Sequence, residues 1–185
     1  MNIDNQQFTI RNLQVSNAIT AVYQIWSWGF TYKGLTVNNC SVALDMSNGG
    51  RAAQQVGSVT IIDSTFANTP IGVITAHDST SSPSSAGSLV IENVVLNNVP
   101  VAVQGANGAT ALVGGTMTIN GWGEGHEYTL NGPTNFEGSF SATPRPGTLL
   151  ESGNRYYEMS KPQYASTAAS SVISVRSTGA KGDGK

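Results

Sequence analysis

Residues 30–46 read FTYKGLTVNNCSVALDM, and the pattern recurs without a gap at residues 8–24 (FTIRNLQVSNAITAVYQ), 59–75 (VTIIDSTFANTPIGVIT) and 89–105 (LVIENVVLNNVPVAVQG). The starts lie 22, 29 and 30 residues apart, the spacing of a solenoid whose units bury their apolar faces only by stacking. Apolar and polar residues alternate within each copy, as strands with one face inside require. The expected inward rungs are Ile10, Tyr32, Ile61 and Ile91 at the third position, Val15, Val37, Phe66 and Leu96 at the eighth, and Val22, Leu44, Val73 and Val103 at the fifteenth. The tenth is asparagine every time: Asn17, Asn39, Asn68 and Asn98. In coils stacked about 4.8 Å apart, an amide donates to one neighbouring copy and accepts from the other. Asparagine also tolerates the left-handed backbone of a tight bend. The pattern predicts an all-β fold, a right-handed parallel β-helix with an Asn ladder.

The chain has 185 residues, 39% of them hydrophobic and only 11% charged, which suits one soluble domain with a polar, weakly charged surface. Nine basic against eleven acidic residues give no electrostatic case for nucleic acid. No apolar run is long enough to cross a membrane as a helix. Cys40 is the single cysteine, so no disulfide can form within these residues, and a packing role is expected. The N-terminus shows no signal-peptide pattern. The first strand starts without a capping unit and VISVRSTGAKGDGK ends on a Gly-rich turn, which predicts part of a longer protein.

Along the chain, residues 1–130 are expected to hold coils of the β-helix, with HDSTSSPSSAGS as a polar loop between the third and fourth copies. ALVGGTMTING would form a degenerate fifth coil around Leu112, Met117 and Ile119. Residues 131–171 read as an ordered linker pinned by burial of Phe136, Phe140, Tyr156, Tyr157 and Tyr164. Residues 172–185 would begin the first strand of a second unit. His77 and His126 have no second His or Cys at ligand spacing, so no metal is expected. Glu124 and Glu127 are expected in a loop, solvated or packed at a domain interface.

Three segments carry a family resemblance. NIDNQQFTIRNLQVSNAITAVYQIWSWGFTYKGLTVNNCSVALDM, GHEYTLNG through RYYEMSKPQYA, and VISVRSTGAKGDGK resemble, in order, the last coils of a first β-helix, an inter-domain connection and the start of a second β-helix. The family is that of the fungal exo-β-1,3-glucanases of glycoside hydrolase family 55, with two tandem pectate-lyase-like, single-stranded β-helices. YQIWSWGF is the more specific block; GDG alone is an ordinary turn. The resemblance implies a secreted, cofactor-independent enzyme that releases glucose from β-1,3-glucan with inversion. Inversion needs a general acid and a positioned water on the opposite face of the sugar. The family's acid is a glutamate of the second β-helix, a partner domain outside these residues, while glutamine and serine side chains of the first β-helix position the water.

Carried onto this chain, those water-positioning residues are Gln24 and Ser47, expected on adjacent rungs of one face, with Ser47 one place past the equivalent Met46. Trp26 and Trp28 would stack on a glucose ring, and Tyr23 and Asp45 would meet substrate hydroxyls. The residues themselves leave plainer readings open: coil-end exposure for Gln24 and Ser47, and ring packing in a bend for the tryptophans. A lyase or polygalacturonase would need clustered acids, and Asp45, Asp63, Asp78 and Glu92 are not expected to cluster. A non-catalytic β-solenoid that binds carbohydrate or supports a neighbouring domain is the other alternative.

Overall fold

A computed structural model describes residues 2–4, 7–47, 56–77, 87–159, 164 and 166–181. Strands dominate: β1 (Asn2–Asp4), β2 (Gln7–Arg11), β3 (Gln14–Ser16), β4 (Thr20–Lys33), β5 (Thr36–Asn38), β6 (Val42–Asp45), β7 (Val56–Ala67), β8 (Ile71–Ile74) and β9 (Ser88–Gln104) make the coils. After them come β10 (Thr110–Ile119), β11 (Trp122–Thr129), β12 (Gly132–Ser139) and the short pair β13 (Leu150–Glu151) and β14 (Arg155–Tyr156).

The repeat alignment is the stacking register. Phe8 pairs with Phe30, Phe30 with Val59 and Val59 with Leu89, all in parallel. Val15, Val37, Phe66 and Leu96 follow one another on a second face, and Val22, Leu44, Val73 and Val103 on a third. Three parallel faces around one apolar interior define the β-helix. The third-face rungs are wholly buried, and each such side chain contributes about 1.5–3 kcal/mol when withdrawn from water. Cys40 packs in the same interior as a free thiol.

Two corners turn on left-handed residues. The ladder asparagines have φ of 59°, 54°, 49° and 55° for Asn17, Asn39, Asn68 and Asn98. Asn39 Nδ2 donates to Asn17 Oδ1 at 2.7 Å and Asn98 Nδ2 to Asn68 Oδ1 at 3.2 Å, while Asn68 Nδ2 reaches Asn38 Oδ1 at 3.1 Å. The ladder is exposed, on the outside of the bend. A second corner uses Asn12, Gly34, Asp63 and Asn93, the fifth residue of each copy, with φ of 54°, 70°, 53° and 53°. That column is in the sequence as N, G, D, N, three residue types that accept this conformation.

Past the fourth coil the chain departs from expectation. β10 runs antiparallel to β9, with Leu112 opposite Val103 and Met117 opposite Leu96. β11 is antiparallel to both β9 and β12. The segment expected as a fifth coil therefore folds back over the last one, where Ile119 and Trp122 are buried against the interior. The hairpin also carries the sheet to Ser139, beyond the boundary expected at residue 130.

The following segment lies along the second corner column, held mainly by polar contacts. Arg145 donates to Asp63 Oδ1 at 2.5 Å and Glu92 Oε1 at 2.6 Å, and its guanidinium stacks 4.3 Å from the Tyr156 ring centroid. Lys33 Nζ pairs with Glu158 at 2.9 Å, and Asn12 Nδ2 donates to the same carboxylate at 2.7 Å. Asp63 and Glu92, expected not to cluster, share one guanidinium; Asp78 lies outside the described residues. Of the five rings expected to be buried, Phe136, Phe140 and Tyr156 are partly buried, whereas Tyr157 and Tyr164 are exposed. The strand expected at VISV is instead flanked by 3-10 turns at Ala169–Ser171 and Val175–Thr178, with Val172, Ile173 and Val175 exposed. An apolar strand needs a neighbouring coil to pair with, and among the described residues these have none.

Candidate functional site

The resemblance directs attention to Tyr23–Trp28, where β4 passes from the third face of one coil to the first face of the next. Tyr23 and Asp45 are register partners on adjacent coils. By continuation Gln24 stacks on Met46, and both are wholly buried. Gln24 Nε2 donates to Ser27 Oγ, and Tyr32 Oη donates to Gln24 Oε1 at 3.2 Å. Burial holds the Tyr32 phenol far above its usual pKa, so it remains a neutral donor. A glutamine is tolerated inside because both ends of its amide are matched.

Ser47 faces the other way. Its hydroxyl donates to Asp45 Oδ1 at 2.6 Å and its amide N–H to the same oxygen at 2.9 Å. Strand alternation explains the separation: residues 24 and 46 point in, 45 and 47 out. The expectation that Gln24 and Ser47 share a face is corrected on this ground, and so is the reading of Gln24 as an exposed coil-end residue.

Trp26 is partly buried and Trp28 is 51% exposed; their rings meet edge to face at 6.1 Å. Trp28 sits above the next coil at very close range, since a Cβ on Gly57 would lie 2.5 Å from the Trp28 carbonyl oxygen. Only glycine at 57 permits that approach. An indole held out from a rigid corner with a second ring against its edge is suited to stacking on a flat apolar face such as that of a sugar.

A second constellation lies at the other end of the stack. Glu124, expected in a loop, is buried in β11 and paired directly across the hairpin with Glu137. Burial raises its carboxyl pKa to about 7, with Thr75 opposing the shift and the nearby Glu137 charge adding to it. His77, also buried, brings a ring nitrogen into the same place: His77, Glu124 and Glu137 each offer one ligand-capable atom, all within 4.8 Å of one another. Spacing along the chain could not reveal this group, because its members come together only through the antiparallel turn-back. Glu124 also lines a cavity of about 330 Å³ bounded by Leu89, His126, Glu127, Phe136 and Phe140.

With this geometry in place, comparison with known proteins is informative. The chain is 50% identical over its full length to a glucan 1,3-beta-glucosidase of Cochliobolus carbonum, spanning 24% of that protein. The chain is related to fungal glucan 1,3-beta-glucosidases. It is also 46% identical over 68% of its length to a probable glucan endo-1,3-beta-glucosidase of Arthroderma benhamiae, spanning 14% of it. At 29% identity over 98% of the chain it resembles the non-secreted LysM effector LysM19 of Penicillium expansum, spanning 15% of that protein. Residues 1–45 match the family model of rhamnogalacturonase A/epimerase, pectate lyase-like, in accord with the β-helix. The chain thus spans a quarter or less of these relatives.

Proposed function

We propose that this chain is part of an extracellular, inverting exo-β-1,3-glucanase that releases glucose from laminarin-type glucan, and that it contributes one wall of the cleft. The observation that carries the reading is the 50% identity, over the full length of the chain, to a glucan 1,3-beta-glucosidase. The general acid would be a glutamate of a second β-helix, as the resemblance implies. On this wall the exposed Trp28 and the partly buried Trp26, Tyr23 and Asp45 would meet the sugar, with the Asp45–Ser47 pair offering a hydroxyl and a carboxylate to water or substrate. Gln24, inside the coil, would act through the corner it braces, as a positioning residue for Trp26 and Trp28. No cofactor enters this chemistry, which needs only a proton donor and an oriented water.

The test is glucose release from laminarin by the chain extended to the length of its relatives, compared with its Trp28→Ala variant. Hydrolysis in the parent and a fall of about two- to tenfold in kcat/KM for the variant are expected, the scale of a lost aromatic stacking contact. A folded, extended chain without activity on laminarin would sink the reading. The likeness to a protein named an effector and not a hydrolase favours one second reading, a non-catalytic β-solenoid module that binds carbohydrate or supports a neighbouring domain. Laminarin binding with no glucose release would select it.

A further inference from the structure

We propose that His77, Glu124 and Glu137 form a binding site for a single transition-metal dication of the Zn²⁺ type, at the capped end of the β-helix. Nothing in the hydrolytic reading requires this site, and the two proposals stand or fall separately.

Each ligand is delivered by a different part of the fold. His77 follows β8, where its amide N–H donates to Thr75 Oγ1 at 3.0 Å and its carbonyl accepts from Ala106 N–H at 3.1 Å. Glu124 and Glu137 are opposite residues of the β11–β12 hairpin, in a register that runs unbroken from Trp122 to Thr129. The loop side and the hairpin side are both anchored, so the three side chains converge on one point by construction of the backbone.

The arrangement is costly without a cation. Whenever both carboxylates are ionised they are like charges placed directly opposite in an antiparallel pair, which destabilises it, and Glu124 is only 4% exposed. Thr75 gives Glu124 partial compensation, but neither carboxylate oxygen has a full-geometry hydrogen bond among the described residues. Buried polar groups in native proteins are normally satisfied, and a bound ion is one of the accepted explanations where they are not.

Ligand chemistry selects the metal class. A histidine nitrogen with two carboxylates suits Zn²⁺, which takes three protein ligands and a water in an open site. Ca²⁺ prefers six to eight oxygens and gains little from imidazole. Ligand atoms within 4.8 Å of one another need only small side-chain rotations to reach metal bonds of about 2.0–2.2 Å. Access exists from two sides, since Glu137 is exposed and Glu124 lines the 330 Å³ cavity.

The experiment is calorimetric titration of the EDTA-stripped 185-residue chain with Zn²⁺, with Ca²⁺ as the contrast ion, on the parent, Glu137→Gln and Glu124→Gln. One site per chain, at least tenfold weaker in each variant and absent with Ca²⁺, is expected, together with a Zn²⁺-dependent rise in Tm in the parent alone. Glu137 is exposed, so its variant tests the site even if Glu124→Gln does not fold. No saturable Zn²⁺ binding, or binding of equal strength in Glu137→Gln, overturns the proposal.

Discussion

At the residue scale the fold depends on a few positions whose conformation or partners few residue types reproduce. Gly34 has φ of +70° in the second corner column, and a Cβ there would lie 2.4 Å from Asn12 Oδ1. Gly34→Ala is expected to cost at least about 1–2 kcal/mol from the left-handed backbone alone, read as a lower denaturation midpoint; an unchanged midpoint would refute the corner assignment. Gln24→Ala strands the Tyr32 hydroxyl and Ser27 inside the coil, a loss on the order of 1–3 kcal/mol. Ser47→Ala, whose hydroxyl among the described residues bonds to Asp45, should leave the midpoint nearly unchanged. Measured together, equal effects of these two changes would contradict their placement on opposite faces. The ladder asparagines were legible in the sequence because one residue type repeats. The second corner was harder to see, because N, G, D and N share a backbone preference and no side chain. The inward orientation of Gln24 is hidden for a related reason: alternation says which way a residue points only once the register at the bend is known.

At the element scale, the turn-back of β10, β11 and β12 and the segment strapped along the corner column are where sequence patterns stop being informative. Alternation around Leu112, Met117 and Ile119 was legible as a strand, but the same alternation serves a parallel coil or an antiparallel cap. Chain direction is set by tertiary pairing. The strap was legible as ordered but its chemistry was not, since Arg145 finds Asp63 and Glu92 only once their coils are stacked. Its electrostatics predict an acid response. Burial acts to raise the Asp63 pKa, but hydrogen bonds from Asn93, Arg145 and the Tyr156 amide outweigh it, and the net shift is downward. Glu158 behaves likewise, its burial outweighed by Lys33 and Asn12. A carboxylate with a depressed folded pKa adds stability that is complete above its ordinary value and is lost as pH falls through the folded one. Strap docking should therefore hold from neutrality down to about pH 4.5 and weaken below it. The check is exchange of the Tyr156 amide, which donates to Asp63 Oδ2 at 3.0 Å. Asp63→Asn should speed that exchange at neutral pH and flatten its acid dependence; an acid limb unchanged in the variant would rule Asp63 out as its source.

For the whole molecule, stacking makes stability local and directional. Each coil of a solenoid touches only its neighbours, so protection at any rung reflects what lies on either side of it. In the 185-residue chain the two sides are unequal. The first-coil rungs are open, with Phe8 53% exposed and Ile10 and Val15 only partly buried, whereas their partners Phe30, Tyr32 and Val37 are buried. At the other side β10 and β11 cover β9, and Leu89, Ile91 and Leu96 are as buried as the middle rungs. Local opening free energy follows buried apolar contact, which orders the expected hydrogen exchange: β2 and β3 fastest, β5 and β6 intermediate, β7 and β9 slowest. Trp122→Ala, which removes a large buried ring from the cap at a cost of about 3–5 kcal/mol, should bring β9 into line with β2 while leaving β2 itself unchanged. Hydrogen exchange followed by mass spectrometry on the parent and this variant decides the matter. If β2 exchanges as slowly as β7 in the parent, or if the variant speeds every strand equally, the chain opens as one cooperative unit and the nearest-neighbour account of its stability fails.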